Sequence, residues 1–320
     1  MFPKVNTLPG AQRQPALADG DGKIDCYGVG FGIQPSTGEA WGPLYSDGGR
    51  FFNDNRTVCT VNTPEFISGV QRLYDLEHKF KVCLPNVGGL QPSGDVWDTF
   101  MQERKPLAAT FQGEWAIISL KKRNQKIVDK HPNAVKGKWK PIHYMGVLTP
   151  TGNSGKPEIA SPGVGNFVVF KQTDPEKRKL CVELAKELTW SEAAQRMNYN
   201  SGVIPVRKSI GNIYGDDPNF KIIFKAFSHV IMPPFHPEGS KMDEIIQREI
   251  QQALMKAKPI PKAMEDANQT VDNILAQYLV ERNAQTHSTG MKFTPRHTMT
   301  AISIGILVLM ILVCAIALFK

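Results

Sequence analysis

The sequence predicts an α/β fold followed by one C-terminal membrane helix, and three observations carry that expectation. A glycine loop, SPGVGNFVVFK (Ser161 to Lys171), leads into an apolar strand and then into a helix opened by Asp174-Pro175-Glu176. Helical spacing of apolar residues recurs on both sides of it, at Phe66, Val70, Leu73, Leu76 and Phe80 and again at Ile245, Ile246, Ile250 and Leu254. Finally, Ala301 to Phe319 is a run of 19 residues without charge, closed by Lys320. As a helix it is about 28 Å long, enough to cross a bilayer core. Together these divide the chain into an irregular segment at 1–18, a folded body at 19–280, a polar tether at 281–298 and a membrane helix at 299–320.

Each element has a local reason. Residues 19–34, DGDGKIDCYGVGFGIQ, start as a turn and pass into a strand pattern at Ile24, Cys26 and Gly28. The Asp19 and Asp21 turn lacks the further acidic ligands of a calcium loop, and Gly28, Gly30 and Gly32 lack the spaced third glycine and helix start of a dinucleotide fingerprint. Trp41 to Tyr45 reads as a short apolar helix. Thr63-Pro64-Glu65 caps a helix to about Phe80. Val96 to Met101 reads as helical, Pro106 to Phe111 as a strand and Trp115 to Leu120 as another strand. Residues 131–160 are rich in Pro, Gly and Lys and read as an exposed strand and loop; Pro157 excludes a phosphate loop at Thr151 to Lys156.

In the second half, Asp174 is an N-cap, Pro175 fills the first turn at no cost in donors, and Glu176 suits the helix N-terminus. A further helix ends in NSGVIPVRKS. Asp217-Pro218 caps a helix carrying Phe220, Ile223, Phe224 and Phe227, and Ser240 with Asp243 reads as a capping box. After Pro259 and Pro261 a last helix holds Ala263, Met264, Ala267, Val271, Ile274, Leu275 and Leu279.

Composition narrows the function. At 320 residues, 41% hydrophobic and 21% charged, the body is an ordinary globular one. The net charge of +8 is spread without a basic-aromatic platform or helix-turn-helix spacing, so no nucleic acid is expected as a partner. Five cysteines form no C-x-x-C pair, so no metal knuckle or cofactor is expected; Cys26, Cys59, Cys83 and Cys181 are compatible with free thiols or with two bridges. The seven histidines make no H-E-x-x-H, and no G-x-S-x-G elbow occurs, so the chain does not read as an enzyme. The N-terminus lacks the apolar core of a secretion signal.

The order of these segments resembles the extracellular solute-binding proteins of ABC importers, in the group that binds sugars and polyols. The resemblance covers roughly residues 19–280. It rests on D-G-K-I-x-x-Y-G at Asp21 to Gly28, G-G-x-x-F at Gly48 to Phe52, N-T-P-E at Asn62 to Glu65, G-x-x-P-V at Gly202 to Val206 and K-A-M-E-D-A at Lys262 to Ala267. A family hairpin, F-x-x-G-x-x-A-M, is matched at Gly113 and Ala116, with Phe111 one place late and Ile117 in the Met position. The resemblance implies a periplasmic-binding-protein-like fold of type II, mostly its second lobe, with most of the first lobe absent. It also implies a carbohydrate or polyol solute and ABC permease subunits as partners, with the lobe on the extracytoplasmic face.

A binding cleft of this kind needs aromatic faces, backbone donors at glycine loops and side chains that orient hydroxyls. Trp41, Trp115, Arg123, Gly163, Gly165, Asn166, Phe235 and His236 are the expected ligand-binding residues, with no catalytic or metal-binding set. Relatives often place a stacking aromatic after the hairpin where this chain has Lys121, Lys122 and Arg123. That moves the stacking duty to Trp115 or Trp41, or marks an anionic group on the ligand held by Arg123. Lys292, Arg296 and His297 precede the apolar run and only Lys320 follows, which by charge bias alone places the body in the cytoplasm, against the family. The resemblance thus leads to a solute-recognition subunit, truncated or split; the alternative is a membrane-tethered adaptor that kept the fold without the solute.

Overall fold

The structure, a computed structural model, describes residues 26–34, 41–102, 107–130, 141–160, 167–232 and 236–288. Contacts divide the chain after Asp272 into two units. The second is described only by the helical stretch Asn273 to Ser288, in which Gln277 Nε2 donates to Glu281 Oε1 one turn on, at 2.9 Å.

In the first unit an extended segment around 27–30 runs parallel between two neighbours. On one side Gly28 N and Val29 N donate to Val82 O (2.7 and 3.1 Å), and Leu84 N returns to Val29 O (3.2 Å). On the other side Gly30 N donates to Ala109 O and Ala108 N to Tyr27 O, each at 2.8 Å. The strand patterns expected at Cys26 to Gly28 and up to Phe111 therefore meet each other. Gly30 is required there, because a Cβ would stand 2.5 Å from Leu107 Cδ2 and 2.9 Å from Val96 Cγ1. A second parallel pair joins β1 (Ile159–Ala160) to β2 (Val230–Ile231), with Ile159 opposite Val230.

Helices dominate the rest. α1 (Trp41–Ser46) is buried at all six positions and lies against α2 (Pro64–His78), whose Phe66, Gly69, Val70, Leu73 and Leu76 form its inner face. After α3 (Trp97–Phe100) comes α4 (Trp115–Lys130), where the sequence had predicted a strand over Trp115 to Leu120. A hexamer with five apolar residues fits either period. The good helix formers that follow, Lys121 to Lys130, carry the helix onward, and Ala116, Ile117, Ile118 and Leu120 fill its buried face.

α5 (Pro175–Trp190) and α6 (Glu192–Met197) begin at the predicted cap and its successor: Asp174 Oδ1 accepts from Glu176 N (2.9 Å) and Lys177 N (3.2 Å), and Ser191 Oγ accepts from Ala194 N (3.1 Å). α7 (Pro218–Ala226) is capped by Asp217 Oδ1, which accepts from Asn219 N and Phe220 N. α8 (Gly239–Leu254) starts one residue before Ser240, so Ser240 sits inside the helix and makes no capping box. It is followed by α9 (Ile260–Ser288). Phe80, expected on the inner face of α2, lies beyond its end and is 57% exposed. Phe167 to Phe170, expected as a strand, has no strand partner among the described residues.

The core joins Phe31, Ile33, α1, α2 and the apolar faces of α8 and early α9, including Met242, Ile246, Ile250, Met264 and Ala267. Polar clips hold the 149–158 loop to it. Asp47, 3% exposed, accepts from Arg72 Nε (3.1 Å), Ser68 Oγ (3.2 Å) and Asn153 N (2.9 Å). Arg50 Nη2 donates to both oxygens of Glu158 at 3.1 and 3.0 Å. Cys26, Cys59, Cys83 and Cys181 form no disulfide with one another. Among the described residues no helix is long and apolar enough to cross a membrane; the helix expected at 299–320 lies outside them.

Candidate functional site

An aromatic ledge forms where the 107–114 segment enters α4. Gly113 leaves room for the ring of Trp115, since a Cβ there would come within 2.8 Å of Trp115 Cδ1. Trp115 meets Trp97 edge to face, with centroids 4.8 Å apart at 65°, and Trp97 in turn stacks on Phe100 at 5.9 Å and 30°. All three rings are half-buried, so they are fixed by packing and keep part of their surface open. Gln112 Nε2 is spent on Thr110 Oγ1 at 3.2 Å, while its Oε1 is shielded and has no hydrogen-bond partner. An acceptor left in that state gains from any donor brought to it.

The ledge is held from behind by the G-x-x-P-V turn. Gly202 has φ +83° and lies so close that a Cβ would fall 2.9 Å from Trp115 Cα and 3.0 Å from Glu114 O. Only glycine meets both conditions. Beside it Tyr214 Oη donates to Val203 O (2.7 Å), and its ring stacks between Tyr199 and Phe220. Burial pushes the Tyr214 hydroxyl up to about 12, so it stays a donor at any physiological pH. The side chain of Gln195 accepts from Val206 N (2.9 Å) and donates to Thr189 O (2.6 Å), fixing the far side of the turn.

Of the expected site residues, Trp115 stands on this ledge. Trp41 does not: it is 5% exposed and packs edge to face on Phe51 at 5.1 Å, in the core. Arg123 lies two turns further along α4 and is half-buried. Its neighbours in the basic triplet are engaged, Lys121 with the Asp217 carboxylate and Lys122 Nζ with Asn200 O at 2.6 Å. His236 lies in the turn ahead of α8, where its Nδ1 accepts from Glu238 N at 3.1 Å. Burial there holds its imidazole below the usual value. Gly163, Gly165, Asn166 and Phe235 lie outside the described residues. Sequence reasoning missed Trp97, which it placed in a helix without a role. Its spacing of three from Phe100 was the available signal.

A family model described as bacterial extracellular solute-binding protein matches residues 7–222. Solved structures of similar fold include an ABC substrate-binding protein of Listeria monocytogenes in complex with cycloalternan, with 19% identity and TM-score 0.56, covering 80% of this chain and 60% of that one. Another is a solute-binding protein of Thermotoga lettingae bound with α-D-tagatose, at 21% identity and TM-score 0.60, covering 78% and 60%. A third is T. maritima MalE3 bound to maltose, at 18% identity and TM-score 0.60, covering 81% and 62%. The chain thus spans about three fifths of the length of these structures and shares their periplasmic-binding-protein-like fold. The family match contains the 27–30 strand, the ledge and the Gly202 turn and takes in more than half of the sequence: this protein belongs to the bacterial extracellular solute-binding proteins.

Proposed function

We propose that the chain is the greater part of a carbohydrate- or polyol-recognising component of an ABC importer, working with permease subunits on the extracytoplasmic face. The family is one of binding proteins, not enzymes. The observation that carries the reading is the half-open ledge of Trp97 and Trp115: pre-fixed aromatic faces are what the apolar faces of a sugar ring pack on. Bound cycloalternan, tagatose and maltose in the neighbouring structures support the same solute class. Arg123, His236, Gly163, Gly165, Asn166 and Phe235 remain proposed contributors, Arg123 for an anionic group on the ligand.

A chain spanning three fifths of its neighbours offers only part of their enclosure. A ligand left partly wet binds weakly. The uncharged run Ala301 to Phe319 is proposed as a C-terminal membrane anchor.

Ligand-observed NMR with maltose, tagatose and glycerol tests this. Saturation transfer to maltose or tagatose in the millimolar range is expected from the isolated chain, and its loss in Trp115→Ala. A micromolar calorimetric titration by the isolated chain would overturn the partial-site reading. Transfer that survives Trp115→Ala would remove the ledge, and no transfer from any of the three would favour the adaptor.

A further inference from the structure

Gln112 stands just past the carboxyl end of the 107–110 segment, which pairs in parallel with 27–30 through Ala108 N to Tyr27 O and Gly30 N to Ala109 O, each at 2.8 Å. In open parallel sheets that end of the strands is where ligands settle. Thr110 and Gln112 are two apart, the spacing that puts side chains on one face of a strand, and Gln112 Nε2 donates to Thr110 Oγ1 at 3.2 Å. Gly113 follows, and its Cα lies against the pyrrole edge of Trp115: a Cβ there would stand 2.8 Å from Cδ1 and 2.9 Å from Nε1. The carboxamide is thus tied to the strand while its residue borders the indole that opens α4. Its Oε1 is shielded and has no hydrogen-bond partner. Turning the amide over changes little, because the Thr110 hydroxyl can donate as well as accept and the opposite end would then be unpaired.

A shielded acceptor without a partner costs stability, and a ligand donor returns that cost on binding. We propose that Gln112 is the residue that selects for a hydroxyl on the solute, its Oε1 accepting a hydrogen bond from an OH beside the ring that packs on Trp115. The inference rests on the carbohydrate reading above and adds to it the polar group that discriminates. The carboxamide makes one hydrogen bond, at the long end of the usual range, so it turns toward an arriving donor at small cost. A neutral, hydroxyl-rich solute satisfies it. A carboxylate or phosphate at the same spot would set acceptor against acceptor. Trp115 offers contact to any ring with an apolar face, so selection there falls to Gln112.

The test uses the full chain carrying 15N-labelled glutamine, with maltose as the probe. The side-chain amide signals of Gln112, identified by their absence in Gln112→Met, are expected to shift as maltose is added. Those of Gln195, which donates to Thr189 O on the far side of the Gly202 turn, should stay in place. Gln112→Met keeps the length of the side chain and removes both polar atoms, and should weaken maltose about fivefold; Gln112→Glu keeps the acceptor and should stay within about twofold of wild type. Maltose bound with unmoved Gln112 signals, or equal affinity in Gln112→Met, overturns the proposal and leaves the aromatic ledge standing. A loss in Gln112→Met that Gln112→Glu fails to recover, or that moves the Gln195 signals, makes Gln112 a structural residue and overturns it as well. No maltose binding by the wild-type chain overturns the inference too, and with tagatose also silent the carbohydrate reading falls beside it.

Discussion

Asp47 shows how one side chain organises three stretches of sequence. Its carboxylate is buried and takes hydrogen bonds from Arg72, Ser68 and the main chain at Asn153, so α1, α2 and the 149–158 loop converge on it. Burying a charge is tolerated only when it is paired and hydrogen-bonded. Arg72→Met should therefore cost about 3 kcal/mol in urea unfolding, toward the low end for a buried pair because the Arg72 side chain keeps 24% exposure. Adding Asp47→Leu to that variant should recover part of the loss, whereas strict additivity would show that the two groups act independently. The thiols follow the same logic: burial pushes Cys59 and Cys83 up to about 12, which makes them structural rather than reactive. Nothing in the residue string around Asp47 announced its role, because its partners lie 21, 25 and 106 positions away.

Among the elements, caps were the most legible feature and burial the least. Asp174 and Asp217 cap α5 and α7 as their Asp-Pro pairs predicted, since a cap is settled by atoms within three residues. Asp217 adds a contact no local rule contains, an ion pair to Lys121 that ties α7 to α4. Burial raises the Asp217 carboxyl, but Lys121 and the N–H groups of Phe220 and Asn219 outweigh it and hold the group below its ordinary 3.8. The unfolded chain thus binds the proton first. The stabilisation is complete above pH 3.8 and is lost as pH falls through the folded value. Asp217→Asn should melt below wild type near pH 6, with the gap closing as the pH falls below 3.8; a gap constant with pH would show that the carboxylate charge contributes nothing. α4 is the opposite case, a mostly apolar hexamer whose helical state depends on the mostly polar decade after it and on the cluster it forms with Tyr214 and Phe220.

For the molecule as a whole, the α5 leucine stripe is exposed, and the uncharged run Ala301 to Phe319 is proposed as a membrane anchor. If Ala301 to Phe319 anchors the protein, deleting residues 299–320 should move it from the membrane fraction to the soluble fraction in a carbonate wash, and protease added to sealed cells should cleave the intact protein's body. Retention of the deleted form in the membrane would assign the attachment to another surface. By itself the sequence determined the Asp174 and Asp217 caps, the amphipathic helices at α2, α8 and α9, and the order of motifs that marks the family, because each depends on residues near in the chain. Only the tertiary structure decided that Trp41 belongs to the core, that Trp97 rather than Trp41 joins Trp115, that Gly202 must lie against the start of α4, and that α5 is left uncovered. Those outcomes depend on which distant segments come together, and no local pattern encodes that.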